Sequence, residues 1–391
     1  MKARLFVCST QFQIIAILCL MKNQSQDFTK KDNDVVLELA VPHGDAWAKV
    51  LRQSGFFRHV YVLTERVQSD FLSMPKRVLL SRVLRGKIRI SWNQCLHTIF
   101  NKAEDYIKGE IERCNSGKLS FSPSEYDEYF VASFTTLGIV MKRLFQRFNT
   151  KTFIFDEGVG TYVGCVWEKH VEPEAIFLFD PDLIDTKFET RKIDSVLNLT
   201  GTHLLETIRR ELEITSESFP DFIFFDQPSG MPCLYDSHTY EGWQQSDFIT
   251  KKENLLKAIE ACVGEKQFNV KLHPASCNQE VFDFYKHEKL SLLNTNSGVP
   301  FELLLTVATK KPKCLITIFS SAVITPLTLG IDRNMKVILL WELFKNDRAL
   351  EFFNRNGAIS DFFENVRRKY PNNVYIPKNK ADLIEILSSD N

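Results

Sequence analysis

The sequence lacks an excess of charge of either sign. Its 391 residues include 49 lysines and arginines against 49 aspartates and glutamates, so it has no overall positive field to hold nucleic acid by counterion release. It also lacks a run of about 18 apolar residues, the length that spans a bilayer. Near the start, Ser9, Thr10, Gln11 and Gln13 make the apolar stretch too polar for a signal-peptide core. These absences disfavour polyanion-binding, membrane-spanning and secreted proteins.

The nine cysteines lack paired spacing. Their number is odd and no Cys-x-x-Cys pair occurs, which disfavours a disulfide scaffold and a zinc ribbon. The eight histidines show no metal-ligand spacing either, which weighs against a zinc enzyme. We therefore expect reduced thiols and a cytoplasmic location.

The composition is that of a folded protein of about two domains. Hydrophobic residues make up 44% and charged residues 25% of the chain, which is ordinary for globular proteins. Short apolar runs, small-residue turns and amphipathic stretches of helical period alternate throughout, which is typical of parallel α/β sheets. The predicted strands of the first half are 5–8, 35–39, 59–63, 129–132 and 152–155. Those of the second half are 222–225, 268–272, 290–293, 314–318, 337–340 and 374–376.

A change of composition predicts the domain boundary. A charged helix at 204–213 is followed by the polar run 215–218, so we expect domains at 1–210 and 211–391. The predicted fold is α/β, with two Rossmann-like domains facing across a cleft. The carboxyl ends of both sheets would border that cleft, so chemistry is expected directly after strands.

The first such position is Asp156-Glu157-Gly158, directly after the predicted strand 152–155. Two carboxylates at a strand end, followed by glycine, suit a general base aimed into a cleft. Adjacent side chains of an extended backbone point opposite ways, so only one of the two would face a substrate. The alternative is an acidic turn in which glycine supplies a positive φ.

The second position is His273-Pro274, preceded by Lys271. Proline fixes the turn, and the imidazole at the strand end can give or take a proton near neutral pH. The alternative is a structural histidine with satisfied hydrogen bonds.

The third position is Ser320-Ser321, which leads into a predicted helix running toward Gly330. Hydroxyls and free N–H groups at a helix start favour a phosphate, whereas ordinary N-capping by serine is the alternative. Glu302 lies in the first turn of another predicted helix, after Pro300. It could accept hydrogen bonds from a ribose diol or simply complement the helix dipole. This ordered set is what transfer from a nucleotide-linked donor requires.

The set resembles bacterial sialyltransferases of the GT-B architecture, especially glycosyltransferase family 52, the lipooligosaccharide sialyltransferases, and the related capsular polysialyltransferases. The family motifs are an acid-acid-glycine turn, a His-Pro and a serine pair, in this order. The resemblance covers roughly residues 5–340 and includes an opening at residues 8–13 that is similar to the family's first strand and turn.

The resemblance implies an inverting, metal-independent transferase that uses CMP-sialic acid and a glycan or glycolipid acceptor. Asp156 or Glu157 would deprotonate the acceptor hydroxyl, with Asp226 as a rival base. His273 would protonate or hydrogen-bond the departing phosphate. The implied substrate-binding residues are Gly158, Lys271, Pro274, Glu302, Ser320 and Ser321.

Two other functions stay open from the sequence. A transferase of the same family could use another nucleotide sugar, such as a Kdo or glucose donor. A non-catalytic protein that only binds sugar nucleotides would also fit, and it should tolerate loss of both Asp156 and Glu157.

The segment 76–92 carries six basic residues and no acidic one, interleaved with apolar residues. It predicts either a peripheral contact with anionic lipid at the inner membrane face or a solvated helix face beside a core face.

Overall fold

The computed structural model describes two compact units. The described residues are 2–23, 28, 30–38, 43–63, 109, 121–133, 136–164, 167–168, 170–199, 201–226, 246–273, 285–293, 299–347 and 357–389. The first unit comprises Met1–Pro181 and Thr186–Ile214, and the second comprises Asp182–Asp185 and Thr215–Asn391. The chain thus changes unit after Ile214, compared with the predicted boundary between 210 and 211.

Among the described residues, the first unit contains a seven-stranded parallel sheet. Its strands are β1 (Ala3–Cys8), β2 (Asn33–Glu38), β3 (His59–Leu63), β4 (Tyr126–Val131), β5 (Lys151–Phe155), β6 (Ile176–Leu178) and β7 (Thr190–Lys192). They are ordered β3-β2-β1-β4-β5-β6-β7, and each neighbouring pair is parallel. This is the Rossmann order with one added strand, and its direction reverses between β1 and β4. Ligands of such sheets bind at the carboxyl ends of the strands around that reversal.

Aromatic side chains fill one face of this sheet. Phe130 on β4 stacks on Phe6 of β1 at 4.5 Å between ring centroids and on Phe153 of β5 at 4.7 Å. Each such buried ring stabilises the fold by roughly 1.5–3 kcal/mol relative to exposure. The three central strands are therefore held rigidly, together with the residues that follow their carboxyl ends.

The described helices of the first unit each follow one of its strands. They are α1 (Gln11–Asn23), α2 (Gly44–Gln53), α3 (Thr136–Gln146), α4 (Val159–Tyr162) and α5 (His203–Glu211). Residues 14–21 of α1 are all buried, as expected of a helix that is apolar on every side. Helix α1 begins directly after the β1 turn, where the Thr10 hydroxyl accepts the Gln13 N–H at 3.2 Å.

The second unit, where described, contains a five-stranded parallel sheet. Its strands are β8 (Phe222–Phe225), β9 (Phe268–Lys271), β10 (Cys314–Thr317), β11 (Lys336–Leu339) and β12 (Val374–Tyr375). The order β12-β11-β10-β8-β9 is the flavodoxin-like order, which reverses between β8 and β10. Its helices are α6 (Ser246–Val263), α7 (Phe301–Val307), α8 (Thr325–Thr328), α9 (Trp341–Phe344), α10 (Ala358–Lys369) and α11 (Lys380–Ser388). The fold is thus α/β with two Rossmann-like domains, as the sequence predicts.

Three elements differ from the prediction. The predicted strand 290–293 is a single parallel bridge between Leu292 and Val270, at the free edge of β9. Strands β6 and β7 lie outside the predicted strands. Strand β6 is three buried apolar residues, and β7 includes Arg191 and Lys192 at an exposed edge of the sheet.

The predicted helix after Ser320-Ser321 is also different. It consists of a 3₁₀ turn, Ser321–Val323, and the separate short helix α8. Pro326 has no N–H to donate to the Ala322 carbonyl, and the Thr325 hydroxyl donates to that carbonyl instead at 3.2 Å. The serine pair therefore does not lie at the start of one continuous helix, whose dipole would favour a phosphate there.

No helix within the described ranges is both long and apolar enough to cross a membrane. The basic segment 76–92 and Pro274 lie outside the described residues.

Candidate active site

Asp156 lies directly after β5 and is almost completely buried, with 1% of its surface exposed. One carboxylate oxygen accepts the Gly158 N–H at 2.8 Å. The other accepts the Tyr162 hydroxyl at 2.6 Å and the Phe179 N–H at 3.1 Å. Burial raises the pKa of Asp156 to about 6 in spite of these donors. Its contacts tie the end of β5 to α4 and to the residue after β6, which suits a structural organiser of the turn.

Glu157 has different surroundings and is only half-buried. Its Oε2 accepts the Gln13 side-chain amide at 2.8 Å, and its own N–H donates to the Thr161 hydroxyl at 3.0 Å. Burial raises the pKa of Glu157 to about 7, while hydrogen bonds from Ser133 and Gln13 favour the charged form. A carboxyl group with a pKa near neutral pH suits a general base.

Gly158 makes the turn that holds these acids in place. Its φ of 105° and ψ of −153° lie in a region that only glycine adopts without strain. The chain therefore turns sharply into α4, and Glu157 stays at the end of β5.

Two partners of Glu157 come from other strand ends. Gln13 follows β1 and Ser133 follows β4, and β1, β4 and β5 are adjacent strands at the reversal of the sheet. Sequence reasoning proposed neither residue as part of the site. The sequence signal for Gln13 is its place in the segment 8–13, which is similar to the family's first strand and turn. Its partner Glu157 lies 144 residues further along the chain.

The raised pKa of Glu157 makes a prediction about stability. The folded chain retains a proton that an ordinary glutamate, with a pKa near 4.5, releases. The stability associated with this proton is complete below about pH 4.5 and is lost as pH rises through 7. Glu157→Gln cannot ionise. We expect the free energy of unfolding of wild type, measured in urea, to fall by on the order of 1–3 kcal/mol relative to that of Glu157→Gln between pH 4 and pH 8.

The matched control is Glu172→Gln, because Glu172 is an exposed carboxylate in the same unit. The free energy of unfolding of Glu172→Gln relative to wild type should not change with pH in this way. If the free energy of unfolding of wild type stays constant or rises relative to that of Glu157→Gln as pH increases, the raised pKa of Glu157 is contradicted.

In the second unit, His273 follows β9 and is half-buried. Burial lowers its pKa, and the positive charge of Lys271 lowers it further, whereas Asp226 acts in the opposite direction. The imidazole is therefore neutral at pH 7 in the ligand-free protein and can donate one N–H. The same Lys271 charge also opposes the burial that raises the pKa of Glu302. His273, Lys271 and Glu302 thus share one electrostatic neighbourhood.

Glu302 is buried, with 5% of its surface exposed, and joins α7 to α8. Its Oε1 lies 2.5 Å from the Thr325 hydroxyl, which also donates to the Ala322 carbonyl. The Thr325 hydroxyl proton is thus shared between the Glu302 carboxylate and the Ala322 carbonyl. Burial raises the pKa of Glu302, whereas the hydrogen bond from Thr325 opposes that rise.

The serine pair follows β10. Ser320 is 7% exposed, its N–H donates to the Thr317 hydroxyl at 3.0 Å, and its Oγ accepts the Ala322 N–H at 3.3 Å. As an acceptor in that bond, the Ser320 hydroxyl keeps its proton for a further acceptor. Ser321 is half-buried. The pair can therefore offer hydroxyl donors, although not the start of a long helix.

Asp226 follows β8 and forms a buried ion pair. Lys252 on α6 contacts its two oxygens at 3.1 and 3.3 Å, and the Tyr285 hydroxyl donates to it. Asp226 and Lys252 are each 4% exposed. Mutual neutralisation accounts for the burial of both charges. This arrangement suits a structural ion pair.

These side chains can carry acid–base chemistry. The first unit offers a carboxyl group that titrates near pH 7, and the second offers a neutral imidazole, a lysine and hydroxyls. Among the residues that the structure describes, no group of three or more His, Cys, Asp or Glu side chains is placed to hold a metal ion.

No protein-family model and no curated protein matches the chain significantly. Among solved structures, it is similar to an α/β-galactoside α-2,3-sialyltransferase from Photobacterium phosphoreum, with 9% identity over 96% of this chain and 99% of that one and a TM-score of 0.48. It is also similar to a UDP-GlcNAc 2-epimerase from Neisseria meningitidis, with 11% identity over 100% of both chains and a TM-score of 0.44. At these identities and scores, no activity follows for this chain. The fold assignment rests on the two strand orders themselves.

Proposed function

We propose that the protein is an inverting glycosyltransferase that moves sialic acid from CMP-sialic acid to a hydroxyl of a glycan acceptor, of the lipooligosaccharide or capsule type. The choice of donor comes from the resemblance carried by Asp156-Glu157-Gly158, His273-Pro274 and Ser320-Ser321. Sites at the carboxyl ends of two Rossmann-like sheets support nucleotide-sugar chemistry in general.

The observation that carries the proposal is the environment of Glu157. It lies beside the reversal of a Rossmann-like sheet, is half-buried, is held by Gln13, and has its pKa raised to about 7. Asp156, by contrast, accepts three hydrogen bonds, from Gly158, Tyr162 and Phe179, and is 1% exposed. We therefore assign the base to Glu157 and the shaping of the turn to Asp156.

In the proposed reaction, the Glu157 carboxylate takes the proton of the acceptor hydroxyl. The acceptor oxygen forms a bond to the anomeric carbon of sialic acid while the bond from that carbon to the phosphate oxygen breaks. The electron pair of the broken bond leaves with CMP. One displacement inverts the anomeric carbon, and no covalent intermediate is required.

The second unit is proposed to stabilise the departing phosphate. The neutral His273 donates a hydrogen bond, the Ser320 and Ser321 hydroxyls donate others, and Lys271 supplies a positive charge nearby. A bound phosphate would raise the pKa of His273, so the imidazole can gain a proton as negative charge develops. Glu302 is assigned to the ribose diol.

Donor release assays test the proposal. Purified protein is incubated with CMP-sialic acid and, separately, with CMP-Kdo and UDP-sugars, and the release of free nucleotide is measured. We expect CMP release from CMP-sialic acid with an acceptor present. Release from another donor alone would replace the proposed substrate. Binding of CMP without release in any mixture, unaffected by removal of both Asp156 and Glu157, would indicate a non-catalytic binding protein.

Loss of the imidazole makes a separate prediction. His273→Ala is expected to retain the circular dichroism spectrum of wild type and to lose roughly 10²- to 10⁴-fold in turnover, the usual contribution of an acid–base group. His287→Ala is the control, because that side chain is 86% exposed in the same unit. Normal turnover in His273→Ala would remove His273 from the mechanism.

A further inference from the structure

Gln13 is a buried side chain with two different hydrogen-bonding tasks. It is 2% exposed and lies in the first turn of α1. Its Oε1 accepts the Ser9 N–H at 2.6 Å, and its Nε2 donates to Glu157 at 2.8 Å. One end of the amide thus holds the turn between β1 and α1, and the other end reaches the proposed base.

The orientation of this amide is determined by its neighbours. The Ser9 N–H can only donate, so the oxygen of Gln13 must face it and the NH₂ group must face Glu157. Thr10 and Gln13 have the spacing of a capping box, but the Gln13 oxygen accepts the Ser9 N–H rather than the Thr10 N–H. A carboxylate oxygen could accept the Ser9 N–H equally well, so this contact explains the oxygen of Gln13 and leaves its NH₂ group unexplained. The contact with Glu157 accounts for that group.

The groups that face Glu157 include donors and one like charge. From α1 comes Gln13, and from the end of β4 comes Ser133, both of which favour the charged carboxylate. From its own turn, Asp156 disfavours it by repulsion. Tyr162 from α4 and Asp180 after β6 act on Asp156 instead. Gln13 and Ser133 are thus the groups among the described residues that oppose burial and repulsion.

We propose that Gln13 is a positioning residue that holds the Glu157 carboxylate in place through its amide N–H and favours its charged form. The proposal rests on the proposed function, because it gives Glu157 the part of the base. Without the amide donor, Glu157 holds its proton to higher pH. Activity relative to wild type is then reduced at acid and neutral pH and recovers in alkaline solution.

The test is the pH profile of kcat/KM for Gln13→Met, which has similar length and no donor. The acid limb of this profile is expected to move up by about one pH unit, which lowers kcat/KM about tenfold at pH 6 relative to wild type. The ratio to wild type should return to within about twofold at pH 9. Gln13→Glu, which keeps an acceptor for the Ser9 N–H, should move the limb in the same direction. Gln53→Met, at an exposed glutamine of α2, should leave it in place.

A second readout requires no substrate. In protein labelled with ¹³C at glutamate carboxyl carbons, the Glu157 resonance is the one missing from Glu157→Gln. Its titration should move to higher pH in Gln13→Met. An unmoved titration, or an equal loss of kcat/KM at every pH, would overturn the role of Gln13. Retained transfer in Glu157→Gln would instead overturn the proposed base, which separates failure of this inference from failure of the proposed function.

Discussion

Glu157→Gln is expected to lower kcat for sialyl transfer by about 10²- to 10⁴-fold, because it removes the group that takes the acceptor proton. The substituted amide has the size of the carboxylate and still offers an oxygen to the amide of Gln13, so the turn after β5 should keep its shape. The affinity for CMP should stay within about twofold of wild type, because the nucleotide is assigned to residues of the second unit. Steady-state kinetics and calorimetric titration with CMP measure the two effects.

Glu172→Gln is the control for the loss of a carboxylate from the same unit, since Glu172 is exposed and pairs with Lys187 at 3.6 Å. It should transfer sialic acid as wild type does. Transfer by Glu157→Gln at the wild-type rate would remove Glu157 as the base. Loss of CMP affinity in that variant would place the nucleotide elsewhere than proposed.

Asp226→Ala is expected to lower the free energy of unfolding by about 3–5 kcal/mol, because it leaves the Lys252 charge buried without its partner. The effect should appear in urea or thermal unfolding of the whole chain. A double variant, Asp226→Leu with Lys252→Met, should recover most of the loss, since a buried ion pair replaced by apolar residues of similar size is often neutral.

The adjacent lysine on α6 provides the control. Lys251 pairs with Asp347 at 2.8 Å, but both side chains are partly exposed. Asp347→Ala should therefore change stability by less than about 1 kcal/mol. If Asp226→Ala instead has wild-type stability and loses transfer, Asp226 is the base and its assignment as a structural residue is wrong.

Much of the fold could be predicted from local sequence because fully buried parallel strands are continuous apolar runs. The runs at β3 and β8 correspond to the predicted strands 59–63 and 222–225 without change. Strand β7 could not be predicted, because an exposed edge strand needs no apolar side chains. The interrupted helix after Ser321 depends on Pro326, which lacks the N–H that a continuous helix would donate to the Ala322 carbonyl.

The candidate site was predictable only in part. The positions after strands mark Glu157, His273 and Ser320 from sequence alone. Which of the two adjacent acids is shielded depends on Tyr162 and on the backbone of Phe179, 23 residues beyond Asp156. Such contacts depend on strand order, which a single sequence does not reveal. The roles of all these residues stay predictions until the variants are measured.

Mass spectrometry of a panel of galactoside and oligosialic acceptors incubated with CMP-sialic acid tests the central claim most directly. We predict an acceptor product heavier by one or more sialic acid residues, together with one CMP released for each residue added, and neither in Glu157→Gln. An unchanged acceptor panel with CMP-sialic acid, alongside sugar transfer from a different nucleotide donor, would contradict the account.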